Sequence, residues 1–275
     1  MLLLLPLGML LMLLSPALTM DAAGAACRLF VTSVMPGLFP YMVLSLLLVS
    51  RIPGEMPPFL ITLLGWCGGS PTGARLLALR PGMDRRIQKR IALSSATMSP
   101  MFLLGTVGSW LDSPAAGAAV LFAVILGGYL TGLLTGRKKS APAHEKALPD
   151  APASLTFGQA VEQAARTMLL VCGTMVMLRV FAGFAAQAAP WASLPLTTLL
   201  EVTTGASIIA DLPLPLPLRT GIIAGCTGFG GMAVIMQNRA LYPSGLLPLP
   251  EQIFWQALHG GISFLLALGV MLLIG

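Results

Sequence analysis

Charge is what this sequence has least of. Only 9% of its 275 residues are Asp, Glu, Lys or Arg, against roughly 25% in soluble domains. That excludes an ordinary water-soluble globule, which with 56% hydrophobic residues would expose far too much apolar surface. Histidine is almost missing, and His144 and His259 stand far apart, which argues against a metal hydrolase. No H-E-x-x-H, Walker A lysine motif or G-x-S-x-G occurs, so the chain carries no enzyme signature and reads as a non-enzyme. The cysteines Cys27, Cys67, Cys172 and Cys226 form no C-x-x-C, so neither a zinc site nor a dithiol redox motif is signalled. Basic residues are not interleaved with aromatics on any face, which removes nucleic acid as a partner.

What the chain has instead is apolar length. Segments at about 1–19, 27–50, 59–79, 89–109, 115–136, 157–185, 192–210, 217–238 and 251–274 reach or approach the roughly 20 residues that cross a bilayer. The fold class is therefore all-α, a polytopic transmembrane helical bundle whose partner is the lipid bilayer. MLLLLPLGMLLMLLSPALTM at the start lacks the positive n-region of a signal peptide and is long for its apolar core. It reads as a retained N-terminal transmembrane helix within residues 1–24.

The net charge of +6 gathers in two stretches, Arg80, Arg85, Arg86, Lys89 and Arg90, then Arg137, Lys138, Lys139 and Lys146. Basic loops stay in the cytoplasm; binding of anionic lipid headgroups is a weaker reading of the same residues. If every segment crosses, nine crossings result and the C-terminus ends inside.

A polar linker over 137–155 divides the chain into a first repeat, 25–136, and a second, 156–275. Each opens with an apolar helix that is polar near its start. Each continues with a T-G-A core, GGSPTGARLLA then EVTTGASIIAD, and a second broken segment, LSSATMSPMFLLGTVG then IAGCTGFGGMAVIMQN. Each closes with paired glycines, ILGGYLTGLL then ALHGGISFLL. Four matches in one order point to a duplicated unit. Four crossings per half make parallel repeats; inverted repeats require an odd number, hence a re-entrant segment in each half.

Irregular backbone survives at membrane depth only when buried in protein or lining a wet cavity, and repeat-built transporters bind substrate at such breaks. The candidate substrate-binding residues are Ser70, Thr72 and Gly73 at the first break and Ser95, Thr97 and Ser99 at the second. In the second half they are Glu201, Thr203, Thr204 and Gly205, then Gly230, Gly231 and Gln237. Close helix packing is the competing reading of the glycines. Glu201 is the most informative residue, since an intramembrane carboxylate costs several kcal/mol unless paired, hydrated or protonated. It would couple transport to H⁺ or Na⁺ or hold a substrate hydroxyl; the alternative is a structural pair with Arg179 or Arg75. Gln237 and Asn238 could read a polar ligand with their amides. His259 reads as a hydrogen-bonded packing residue.

VMPGLFPYMVLSLLL (34–48), GGSPTGARL (68–76), SPMFLLGTVG (99–108), LLEVTTGAS (199–207) and FGGMAVIMQ (229–237) occur in one order. That order resembles the YlbJ-type sporulation integral membrane proteins, a branch of the nucleoside-recognition "Gate" domain family. The resemblance implies a multi-pass protein of the bacterial cytoplasmic membrane tied to spore envelope or cortex formation. It also implies distant kinship with concentrative nucleoside transporters, whose paired broken helices hold substrate. The chain departs from the pattern at Ser70, where the resemblance calls for an aromatic, and at Ser94–Thr97, where it calls for an asparagine. Two functions follow as expectations. One is a secondary transporter or permease for a small polar, nucleoside-like metabolite. The other is a non-transporting assembly protein of the spore envelope, partnered by further copies of itself or by other sporulation membrane proteins.

Overall fold

The computed structural model describes residues 4–53, 56–80, 82–135 and 154–274, and their regular structure is entirely helical. The linker expected over 137–155 lies outside the described residues but for its last two, as do the basic residues at 137–139 and 146 and the histidine at 144. The start of the chain differs from the helix expected within 1–24. Helix α1, Leu4–Leu14, has 11 residues, about 16 Å at 1.5 Å per residue, which is short of a bilayer. A new helix, α2, begins at Pro16 and runs to Leu29. It continues through a π-helical turn, Phe30–Val34, into α3, Met35–Arg51. Together they make one 36-residue span. Pro16 and Pro36 fall in first turns, where a missing N–H leaves nothing unpaired.

The next apolar segment, expected to cross, does not. Helices α4, Pro58–Gly68, and α5, Thr72–Ala78, form a re-entrant hairpin. Beyond α5 the Arg80 guanidinium donates to the carbonyls of Val49 (2.8 Å) and Ile52 (2.7 Å). The chain has thus returned to the end of α3 from which it left. Glycines face each other across the hairpin: a Cβ on Gly65 would lie 3.2 Å from the Gly73 Cα. At the tip Gly69 takes φ 69°, a conformation open to glycine and costly to other residues.

The third segment does cross, with a break. Asp84 accepts hydrogen bonds from the Arg86 and Ile87 amides and starts α6, Arg85–Ser94. After an interruption the helix resumes through a π-helical stretch, Phe102–Val107, into the short α7, Gly108–Trp110. Helix α8, Pro114–Thr135, packs antiparallel to it along its length. Near one end of α8 a Cβ on Gly117 would meet the Gly108 Cα at 2.9 Å; near the other, one on Gly132 would meet the Arg90 carbonyl at 3.0 Å.

The second half has the same order of elements. Helix α9, Phe157–Ala188, starts with a Thr156–Gln159 capping box. It starts beside the end of α3, because the Leu155 amide donates to Ser50 Oγ (3.1 Å). Helices α10, Ser193–Leu200, and α11, Val202–Ala210, follow. Then come α12, Leu216–Phe229, and α13, Gly231–Leu241, joined at Gly230, which is left-handed with φ 81°. The far end of α13 returns to the basic end of the molecule: the Tyr242 hydroxyl donates to the Ala92 carbonyl (3.0 Å), and Arg85 donates to the Gly245 carbonyl. A 26-residue span that finishes there begins at the opposite end, where α9 finished. So α10 and α11 leave and re-enter the opposite end, forming a second hairpin. Helix α14, Leu249–Ile274, crosses back.

Nine expected crossings thus become five helices long and apolar enough to cross among the described residues, with the broken α6–α7 segment, antiparallel to α8, read as a sixth, and with one hairpin per half entering from opposite ends. The segments taken as crossings at 59–79 and 192–210 are these hairpins. Each sits in its own apolar core. Ile61, Leu76 and Leu77 of the first pack with Leu46, Leu93 and Ala164. Ala206, Ile209 and Ala210 of the second pack with Leu103, Val120 and Ile223. The outer surface carries Leu13, Phe122, Leu169, Leu265 and Leu273, as a lipid-facing belt does. The chain is a multi-pass membrane protein.

The hairpin assignment predicts sidedness. In a chain with its four cysteines replaced by serine, Pro53→Cys and Gly82→Cys should both label with an impermeant thiol reagent from one side of the membrane, and Trp191→Cys from the other. Labelling of the first two from opposite sides would mean that α4 and α5 cross.

Candidate functional site

Breaking a helix frees backbone donors and acceptors, which in hydrocarbon must find partners within the protein. Here the breaks partner one another. At the first hairpin tip the Ser70 amide donates to the Thr97 carbonyl (2.6 Å) in the break after α6, and Ser70 Oγ donates to Asn238 Oδ1 (2.7 Å) on α13. At the second, Glu201 separates α10 from α11 and caps α11. Its Oε1 accepts from the Thr203 amide (2.9 Å) and its Oε2 from the Thr204 amide (2.8 Å). The fourth break rests on the second hairpin: a Cβ on Gly231 would lie 3.2 Å from the Thr198 carbonyl and 3.3 Å from the Val202 amide.

The tips enclose one cavity. Its walls come from both hairpins (Ser70; Glu201, Val202, Thr203) and both broken spans (Met98, Ser99, Phe102; Ala233, Val234, Gln237). The long spans complete it with Val34, Leu38, Val171 and Met175. It offers about 30 Å³ to the centre of a water, room for roughly one or two waters or a bare ion. Glu201 is 1% exposed and has no ion-pair partner among the described residues. The structural pair with Arg75 or Arg179 is therefore not formed: Arg75 donates instead to Gln163 Oε1 (2.9 Å). The carboxyl oxygens are met by two backbone donors at the positive end of α11. A carboxylate accepts about four hydrogen bonds, so Glu201 keeps acceptor capacity toward the cavity.

The sequence-predicted residues divide in two. Ser70, Ser99, Glu201, Thr203 and Gln237 line the cavity, and the Thr97 carbonyl and Thr204 amide hold its walls. Gln237 donates to Thr174 Oγ1 (2.8 Å). Gly73, Ser95, Gly205 and Gly231 are instead joints of close packing. Ser95 Oγ is tied to its own helix at the Ile91 carbonyl (2.6 Å) and wedges between Gly65 and Gly73. Gly205 lies where a Cβ would fall 2.6 Å from the Thr198 Cα. Gly230 supplies the left-handed turn, and Thr72 is buried behind the first tip. Sequence reasoning passed over the apolar walls, because Val34, Leu38, Val171 and Met175 carry no signal that separates them from lipid-facing neighbours.

Fold and site define a multi-pass membrane protein whose broken helices converge on one small, mostly apolar cavity with a few polar groups, Glu201 among them. The chain is 23% identical over 286 aligned residues to "Sporulation integral membrane protein YlbJ" of Bacillus subtilis (strain 168), covering 81% of this chain and 70% of the relative. It is thus related to a sporulation integral membrane protein. No protein-family model matches the chain, and no solved structure matches it.

Removing the cap should leave two buried amides unpaired at about 1–3 kcal/mol each. Glu201→Ala is expected to destabilise the protein by about 2–5 kcal/mol, read from denaturant unfolding in detergent. Gly205→Ala should cost about 1–3 kcal/mol through overpacking. Gly173→Ala, where a Cβ meets nothing, should leave stability unchanged or raised.

Proposed function

We propose that this protein is a secondary transporter for a small polar, nucleoside-like solute in the cytoplasmic membrane of a sporulating bacterium. One observation carries the reading: two hairpins that enter from opposite ends bring their tips to one cavity that holds a buried carboxylate. Each half runs long span, hairpin, broken span, long span. With three crossings apiece the halves have opposite orientation, which supports reading them as inverted copies of one Gate-like unit. Transporters built this way hold solute at the midplane and expose it alternately by rocking one part against the other. The basic end, with Arg80, Arg85 and Lys89, faces the cytoplasm by the distribution of positive charge.

Pockets for organic ligands run to roughly 300–1,000 Å³, and this one admits one or two waters. On this reading a solute larger than one or two waters enters when one hairpin swings from its core. Ser70 is the natural latch of the first hairpin, since it bonds to both broken spans. Glu201 is the residue to take up H⁺ or Na⁺ or a solute hydroxyl. A second reading, assembly of the spore envelope without transport, draws support from the relative's name and from the tight glycine joints at Gly73 and Gly205.

Thermal unfolding in detergent against nucleosides, nucleobases, sugars, amino acids, dipicolinate and Na⁺ separates the two. A ligand that binds only the folded state stabilises by RT ln(1 + [L]/Kd), about 2.7 kcal/mol at a hundredfold excess over Kd. The transport reading predicts a shift with one ligand class that is lost in Glu201→Gln. A flat panel, with a variant that is merely less stable, favours assembly.

A further inference from the structure

Helix α14 carries a polar face that the cavity does not use. Gln252, Gln256, His259 and Ser263 recur at intervals of four, three and four residues, which places them on one face of a helix. All four are at most 1% exposed, so none reaches lipid headgroups or bulk water. Ser263 Oγ donates to the Ala123 carbonyl (3.3 Å), and His259 Nε2 donates to the Val124 carbonyl (2.8 Å). With Nε2–H committed, Nδ1 is left as an acceptor, and no protein group bonds to it. Nor does any protein group bond to the side-chain oxygen or nitrogen of Gln252 or of Gln256. Each amide nitrogen has two hydrogens to donate and each oxygen two lone pairs. Left dry, two amides and an imidazole would cost several kcal/mol in a core of this kind.

The face has two definite ends. At the basic end the residue before Gln252 is Glu251, which forms a partly exposed ion pair with Lys89 (2.8 Å). Seven residues further, about 10 Å along the helix, the His259 ring lies against Gly128. A Cβ there would be 3.3 Å from His259 Cε1 and 3.2 Å from the Thr97 methyl. Thr97 Oγ1 is buried and has no protein partner, and the Thr97 carbonyl is the one that holds the first hairpin tip.

We infer that Gln252, Gln256 and His259 hold a file of bound waters that enters at the Lys89–Glu251 pair and ends at Thr97, beside the cavity. Water is the ligand that matches the site, because it supplies both donors and acceptors to the amides and to Nδ1. The file gives the cavity a one-sided connection to the basic end without movement of either hairpin. It extends the transport reading and stands without it, since water access is measured whether or not a solute binds.

The test uses the full chain with its four cysteines replaced by serine. Gln252→Cys and Gln256→Cys are compared with Leu265→Cys, which faces lipid, for reaction with Ag⁺, a membrane-impermeant thiol reagent about the size of a water, in vesicles of each orientation. The inference expects both glutamine positions to react at least tenfold faster than Leu265→Cys, and only from the basic end. Rates equal to that of Leu265→Cys, or labelling from the opposite end, overturn it. The unaltered chain gives a second measurement that does not depend on variants folding. Hydroxyl radicals formed from bound water should oxidise His259 and spare Phe264, which packs toward α12; an unmodified His259 overturns the inference.

Discussion

An interrupted helix inside a bilayer must satisfy the backbone groups it frees, and lipid offers none of the partners. The architecture follows from that constraint. Four interruptions occur in this molecule; three are tied by hydrogen bonds to another interruption or to a side chain placed at one, and the fourth packs against the second hairpin. The Ser70 amide finds the Thr97 carbonyl, and the Thr203 and Thr204 amides find Glu201. Gly231 closes against the carbonyls of α10. Because the breaks depend on one another, they sit at a common depth. The two hairpins reach that region from opposite ends, each anchored in its own apolar core.

This arrangement also explains the division of labour among small residues. Hairpins whose arms touch need glycines where the arms approach, and Gly65, Gly73 and Gly205 occupy those places. Polar side chains at the tips then face inward by default, since the arms behind them are packed. The cavity is a by-product of tips meeting imperfectly, and its single buried carboxylate sets its chemistry.

Much of this was legible in the residues. The breaks at Gly69–Pro71 and Glu201 announce themselves as polar and glycine-rich interruptions of apolar runs, and the order of broken segments repeats between halves. Whether such a run crosses was not legible. Residues 59–79 have the length and hydropathy of a crossing helix, and only the return of Arg80 to the carbonyls of α3 shows that they turn back. The same limit applies to the glycines: Gly73 and Gly205 have the composition of a binding loop, and their role is decided by the neighbours a Cβ would meet. Glu201 was found because charge is rare enough here for one carboxylate to stand out, but its partners are backbone amides, which every residue possesses. Its pairing with Arg75 or Arg179 was a reasonable rule of charge that local capping overrode.

The two π-helical turns, Phe30–Val34 and Phe102–Val107, each place a residue on the cavity wall, Val34 and Phe102. A π turn closes its hydrogen bonds over one more residue than an α turn. Each therefore acts as a phase shift of about 100° in the helix that carries it, setting which face of the following segment looks inward. Without that extra residue the proline-containing run after Val34 and the glycine-containing run after Phe102 would present different stripes to the hairpins. The inner wall of this protein is thus tuned by counting, one residue gained per helix, as much as by the chemistry of the side chains that line it.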